Sequence, residues 1–139
     1  MQVTVDESGF PIVYYRWPQE TADEDIENYL NHSSYLLANK LRHVIILDMR
    51  SFTSNTAKQR HMAADWLKTN DAALRLFRVG ACTMVASPTA AHTMRSVYWQ
   101  SPPPYPWEIA ETRDAALAWA VAQLQKHGIA PPAKLPVIY

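Results

Sequence analysis

Glycine is scarce in this chain, with three among 139 residues and no Gly-rich run anywhere. A cradle of backbone amides around a phosphate is thereby disfavoured, and nucleotide binding of that kind with it. Cysteine occurs once, at Cys82, so no internal disulfide exists, which fits a reducing compartment. Charge of one sign is lacking too: thirteen Lys and Arg balance thirteen Asp and Glu. No clustered basic surface is therefore expected for nucleic acid or for an anionic membrane. The apolar stretches fall far short of the ~20 residues that cross a bilayer. The opening residues Met1, Gln2, Val3, Thr4, Val5 and Asp6 have neither the basic start nor the apolar run of a signal peptide. The expectation is a cytoplasmic chain that does not span a membrane. Gly-x-Ser-x-Gly and His-Glu-x-x-His are both missing, so no enzyme is read here, and neither a cofactor nor a metal is expected.

What the chain does contain is an ordinary globular balance, 48% apolar and 19% charged, in a length that suits one domain with a real core. Its central signal is His43-Val44-Ile45-Ile46-Leu47-Asp48-Met49, an apolar run that reads as a strand buried on both faces. Arg50, Ser51, Phe52, Thr53, Ser54, Asn55 and Thr56 follow it and lead into a helical pattern. Function in open α/β sheets tends to lie just past the carboxyl ends of such strands. Ser51, Thr53, Ser54 and Thr56 are therefore candidate regulatory or partner-binding residues, and Ser54 and Thr56 also suit helix caps.

Residues 2–5 and 10–17 are β-rich, and Asp6-Glu7-Ser8-Gly9 between them predicts an antiparallel hairpin. Thr21-Ala22-Asp23-Glu24 reads as a capping box for a helix whose Ile26, Tyr29, Leu30 and Leu37 share a face. Thr56-Ala57-Lys58-Gln59 is a second box, opening a helix with Met62, Ala63, Trp66 and Leu67 inward, and residues 71–77 continue as further helical turns. Residues 79–86 form another strand, and Ser87-Pro88 starts a helix that Pro102-Pro103-Pro104 halts. A short strand over residues 107–110 and a last helix capped by Thr112, with Leu117, Ala120, Val121 and Leu124 inward, complete the order ββαβαβαβα. The fold class is α/β, a single domain over residues 1–128 with a mixed, mainly parallel sheet of about five strands and about four helices. Residues 129–139 form a Pro-rich tail, and its Pro136-Val137-Ile138-Tyr139 is apolar enough to dock.

Several side chains invite a chemical reading beside a plainer one. His61 and Asp65 stand four apart on one helical face, a spacing for a metal or a polarised imidazole, and equally for an ordinary solvated pair. Cys82 lies within an apolar strand, where a thiol behaves as a small hydrophobe. His43 and His92 fit hydrogen-bonded structural histidines. Tyr98, Trp99, Tyr105 and Trp107 crowd around Pro102-Pro103-Pro104-Tyr105-Pro106. They form a candidate docking surface for a partner or an acyl chain, or a rigid connection whose rings cover the sheet edge. Pro102-Pro103-Pro104-Tyr105 also matches the short ligand of WW domains.

This order of elements resembles STAS domains, the anti-sigma-factor-antagonist fold, and the bacterial STAS-like proteins grouped with the CRAL-TRIO lipid-transfer fold. The resemblance spans residues 2–127 and is carried by Val44 to Arg50, the strand leading to Ser87-Pro88, and Ala115-Ala116-Leu117-Ala118-Trp119-Ala120. STAS antagonists carry Asp-Ser-Ser-Gly after the third strand, with one hydroxyl phosphorylated by a partner kinase; Ser54-Asn55-Thr56 stands there instead, without the Asp or the Gly. The resemblance implies a non-enzymatic interaction module in bacterial regulation that docks a protein partner and is switched by Ser/Thr phosphorylation. Its alternative is a carrier or sensor of a small apolar or lipid-like ligand held between helices and sheet. A homodimer is compatible with either.

Overall fold

An unbroken apolar run can be buried on both faces only inside a sheet covered on each side, and Val44, Ile45 and Ile46 are each 0% exposed. The computed structural model describes residues 2–139 and sets them at the centre of one mixed sheet. In chain order the elements are β1 (Thr4–Asp6), β2 (Ile12–Arg16), α1 (Asp23–Ala38), β3 (His43–Asp48), α2 (Ala57–Thr69), α3 (Asp71–Phe77), β4 (Arg78–Met84), α4 (Pro88–Gln100), β5 (Trp107–Ala110) and α5 (Arg113–Lys126). The strands lie in the order β1-β2-β3-β4-β5. β1 pairs antiparallel with β2 as the hairpin pattern predicts, and β2 to β5 are parallel.

This sequential order decides the layering. Each crossover from β2 to β5 steps in the same direction, and right-handed connections then deliver every crossover helix to one face. Val13, Tyr15, Ile45 and Ala81 meet Ile26, Tyr29, Leu30 and Leu36 of α1 on that face, with Trp66 and Met62 of α2 beside them. The opposite face carries Ile12, Tyr14, Val44, Ile46, Cys82 and Met84, packed on Ala116, Ala120 and Leu124 of α5. Ile138 of the C-terminal segment joins that same cluster and is 2% exposed.

The two faces need different side chains at close range. Gly80 looks at α5, and a Cβ there would come within 2.8 Å of the Trp119 ring. A hydrogen atom at this position is what lets the indole come this close to the sheet.

Two details differ from the sequence reading. The segment after α2 is a separate helix, α3, so there are five helices among the described residues rather than about four. Asn70 separates them: its backbone leaves the helical region (φ −103°, ψ 16°), and its side-chain amide donates to Trp66 O. The start of α1 also falls one residue later than the Thr21 box. Ala22 occupies the cap, and Asp25 supplies the carboxylate that accepts from the Ala22 amide at 2.8 Å and from the Val3 amide at 2.9 Å. Thr21 instead turns its carbonyl to Gln59 Nε2. Thr56, Ser87 and Thr112 cap α2, α4 and α5 as their patterns predict. Among the described residues no helix is long and apolar enough to cross a membrane.

Gly80→Val forces two methyls into the Trp119 contact and is expected to cost about 1–3 kcal/mol. Urea unfolding checks this; a midpoint equal to wild type would show that α5 has room to withdraw.

Candidate functional site

A parallel strand ends by pointing its last residues and the following loop at one rim of the sheet, and β2 and β3 end side by side. Their loops are clasped together there. Thr53 donates through both its amide and its hydroxyl to Gln19 O, at 3.1 and 2.9 Å. Ser54 forms an isolated parallel bridge with Glu20. Gln59, buried on the first turn of α2, donates to Thr21 O at 2.8 Å and to Asp23 Oδ1 at 3.0 Å, while Lys58 pairs with Asp23 at 2.9 Å. Thr56 and Gln59 cap one another reciprocally, so Thr56 serves as a helix cap. Ser51, Thr53, Ser54 and Thr56 all lie exposed on the outer side of this clasp.

The loop is anchored at its start by a polar knot. Asp48, 3% exposed, accepts from Tyr14 Oη at 2.5 Å and from Arg50 Nε and Nη2 at 2.9 and 2.8 Å. Burial alone would raise this carboxyl, but the hydrogen bonds from Arg50 and Tyr14 outweigh it and hold it below the usual carboxylate range. Arg50 also donates to Tyr139 O at 3.2 Å. The C-terminal segment therefore touches the residue immediately before Ser51.

The aromatic candidates divide. Tyr98, Trp99 and Trp107 gather at the β5 edge, with ring centroids 5.0 Å apart for Tyr98–Trp107 and 5.9 Å for Trp99–Trp107. With Arg95, Pro102 and Glu108 they line an open cleft of about 470 Å³, and Trp99 is 76% exposed. Tyr98 is anchored inward by its hydrogen bond with Thr83 Oγ1. Tyr105 does not join them; its half-buried ring lies against Arg78. The β5 edge itself is closed to strand addition at its centre. Pro106 and Ala110 turn their carbonyls to β4, which leaves Ile109 facing outward. There Glu108 Oε1 accepts from the Ile109 amide, and Arg95 Nη2 donates to the Ile109 carbonyl. Side chains occupy the groups that another strand would use.

Sequence reasoning missed the buried guanidinium. Arg78 is 1% exposed. A β-bulge puts it there: His43 pairs with Arg78 but Val44 pairs with Gly80, so Val79 is an extra residue in β4. Without that bulge Arg78 would share the α5 face with Gly80, Cys82 and Met84. It instead turns beneath α1 and α2, donating to Ser33 Oγ at 3.1 Å, His43 Nε2 at 3.3 Å and Tyr29 Oη at 3.5 Å. The rings of Tyr105 and Trp66 face its charge at 5.3 and 5.7 Å. A second chain of contacts leads outward, from Tyr15 Oη to His32 Nδ1 and from His32 Nε2 to Glu7 Oε1, both 2.6 Å. The one available signal was the charge at the head of an apolar strand.

The remaining candidates are placed as follows. His43 Nδ1–H donates to Leu41 O at 2.8 Å, which leaves Nε2 as the acceptor for Arg78. Burial first, and then the Arg78 charge, push its pKa down to about 3. Cys82 is buried, and burial pushes its thiol up to about 12. His61, Asp65 and His92 are exposed. Among the described residues no three His, Cys, Asp or Glu side chains gather as metal ligands.

The class of protein that these elements define is the SpoIIAA-like α/β fold, as the STAS resemblance implied. Among solved structures, an uncharacterised protein of the DUF3478 family with a SpoIIAA-like fold, from Shewanella loihica PV-4, is similar with a TM-score of 0.62 at 16% identity, over 85% of this chain and 91% of that one. No protein-family model and no curated protein matches the chain.

The His43 geometry has a pH signature. Its folded pKa lies below the ordinary 6.5, so between the two values the unfolded chain binds the extra proton and stability falls as pH falls. The slope reaches about 1.4 kcal/mol per pH unit for one such group. Asp48 adds a loss in the same direction as pH drops through its depressed folded value. Urea midpoints from about pH 7 to about pH 4.5 should decline, and His43→Gln should flatten the decline. An unchanged slope in that variant would mean that His43 is not neutral in the fold.

Proposed function

We propose that this domain is a non-enzymatic, STAS-like interaction module that docks a protein partner through the rim formed by residues 51–56, and that phosphorylation of a hydroxyl there switches the docking. The observation that supports this most is the clasp: exposed Ser54 and Thr56 stand at the start of a 13-residue helix, beside Lys58 and Asp23. The first turn of α2 holds no acidic residue, and only one of its free amides is taken by Thr56 Oγ1. A phosphate at this point is attracted by the free amides, the helix dipole and Lys58, and repelled by Asp23. Lys58 would exchange Asp23 for the phosphate, loosening the link between the two loops. The switch thus changes the shape of the rim as well as its charge.

Two features favour docking over catalysis or carriage. His43, Tyr15 and Cys82, whose titration burial shifts strongly, line neither open cleft. A catalytic site needs such groups converging where substrate can reach them. A second cleft of about 450 Å³, lined by Leu117, Val121 and Leu135 among others, is open to solvent like the first. A carrier needs an enclosed chamber that takes most of its ligand out of water.

Asp is itself a good helix cap at Thr56, and Ser54 is an exposed position, so Thr56→Asp and Ser54→Asp are each expected to shift stability by no more than about 0.5 kcal/mol. Both should alter the proteins retained in a pull-down from the native cell extract. Retention identical to wild type for both variants would leave Thr56 a helix cap and Ser54 a bridging residue, and nothing more. Native mass spectrometry of the purified chain is expected to show the bare polypeptide mass, and a co-purifying lipid-sized adduct would favour the carrier.

A further inference from the structure

The C-terminal segment is shaped like a removable part. Residues 130–139 form neither helix nor strand. Pro136 and Ile138 turn inward, while Leu135, Val137 and Tyr139 point out at 40%, 53% and 86% exposure. The segment runs back along α5 towards its first turn, where Arg113 Nη1 donates to Ile138 O at 3.1 Å. Pro136 lies against Gly9, where a Cβ would meet its ring at 2.5 Å. Ile138 then plugs the cluster that contains Ile12 and Tyr14 of β2. Two inward side chains and two arginine-to-carbonyl bonds hold what a strand would hold with a ladder. Segments with so few ties open at a fraction of the global unfolding free energy.

Its last tie falls on Arg50. That guanidinium donates to both oxygens of Asp48 and to Tyr139 O, and its own peptide leads into Ser51. Tyr14 closes the same knot from β2, and it shares the cluster that Ile138 plugs. The seated segment and the start of the rim loop are thus held by one residue.

We propose that residues 136–139 act as a latch, coupled through Arg50 to the loop of residues 51–56. With Ile138 seated, Arg50 is fixed and the start of the loop is held. With Ile138 out, Arg50 loses its third acceptor and residues 50–54 gain freedom. Coupling is reciprocal, so a partner that pulls on the loop also loosens the latch. This regulation rests on the loop being the partner-facing rim. The isolated chain tests the latch, whereas a pull-down tests the rim, so failure of one is distinguishable from failure of the other.

The test is hydrogen exchange by mass spectrometry on the full chain, comparing wild type, Ile138→Ala, Arg50→Gln and the double variant. Ile138→Ala should speed exchange by about tenfold or more in peptides covering 134–139 and also in those covering 50–54, with β3 and β4 unchanged. In the Arg50→Gln background the further effect of Ile138→Ala on residues 50–54 should vanish. Faster exchange in the C-terminal segment alone, or effects of the two substitutions that simply add at the loop, would overturn the coupling. If Ile138→Ala accelerates exchange everywhere, Ile138→Val provides the milder case: a uniform rise there too would make the segment ordinary core and refute the latch.

Discussion

Everything in this molecule follows from a sheet whose strands lie in the order in which they are made. Because β2, β3, β4 and β5 advance in one direction, right-handed crossovers place α1 to α4 on the same face. Only α5 and the C-terminal segment remain for the other face, and both faces must be covered because Val44, Ile45 and Ile46 are apolar on both sides. The close approach of Trp119 to Gly80 and the plug of Ile138 are two answers to that single need. The side with four helices takes in a buried cation, and the side with one helix is completed by the segment that follows it.

The crowded face holds the buried cation. A one-residue bulge in β4 turns Arg78 from the α5 side to the α1 side, and α1, α2 and the Pro-rich connection all converge on it. No carboxylate is among the partners found for this cation; two hydroxyls, a neutral imidazole and two ring faces surround it. Isolated charge in an apolar interior is costly, and hydrogen bonds with aromatic faces offset part of that cost. The same need explains why His43 is kept neutral: its Nε2 must stay an acceptor for Arg78. At the opposite rim a different solution holds Asp48, where a full bidentate ion pair with Arg50 is joined by a phenol. The two ends of the sheet thus differ in kind, one end closed and cationic, the other clasped but open to water at its hydroxyls.

How much of this was legible depended on the range of the interaction. The caps at Thr56, Ser87 and Thr112 are bonds within one turn, so three residues of sequence suffice to read them. The hairpin and the central strand were equally plain, since alternation and apolar runs are local. The α1 box was misplaced by one residue because its carboxylate comes from Asp25, whose second bond reaches across to Val3. The separate α3 was hidden for a similar reason: Asn70 is tolerated in a helix, and only its return bond to Trp66 marks the break. Of the rim, the hydroxyls were visible, but the clasp to Gln19, Glu20 and Asp23 was not. The four aromatic rings looked like one patch, and the fold parts them, with Tyr105 against Arg78 and Trp107 at the β5 edge.

By itself, then, the amino-acid sequence determined the class of the fold, the order of its elements and the exclusion of an internal disulfide. Those depend on periodicity, on turn chemistry and on counts, all of which are properties of neighbours along the chain. Tertiary structure alone decided that Arg78 is a core residue, that Ser54 sits on a clasped rim, and that Ile138 reaches back to β2 and, through the carbonyl of Tyr139, to Arg50. Each of these joins residues more than 30 positions apart. Such pairs carry no mark in either partner until the sheet brings them together.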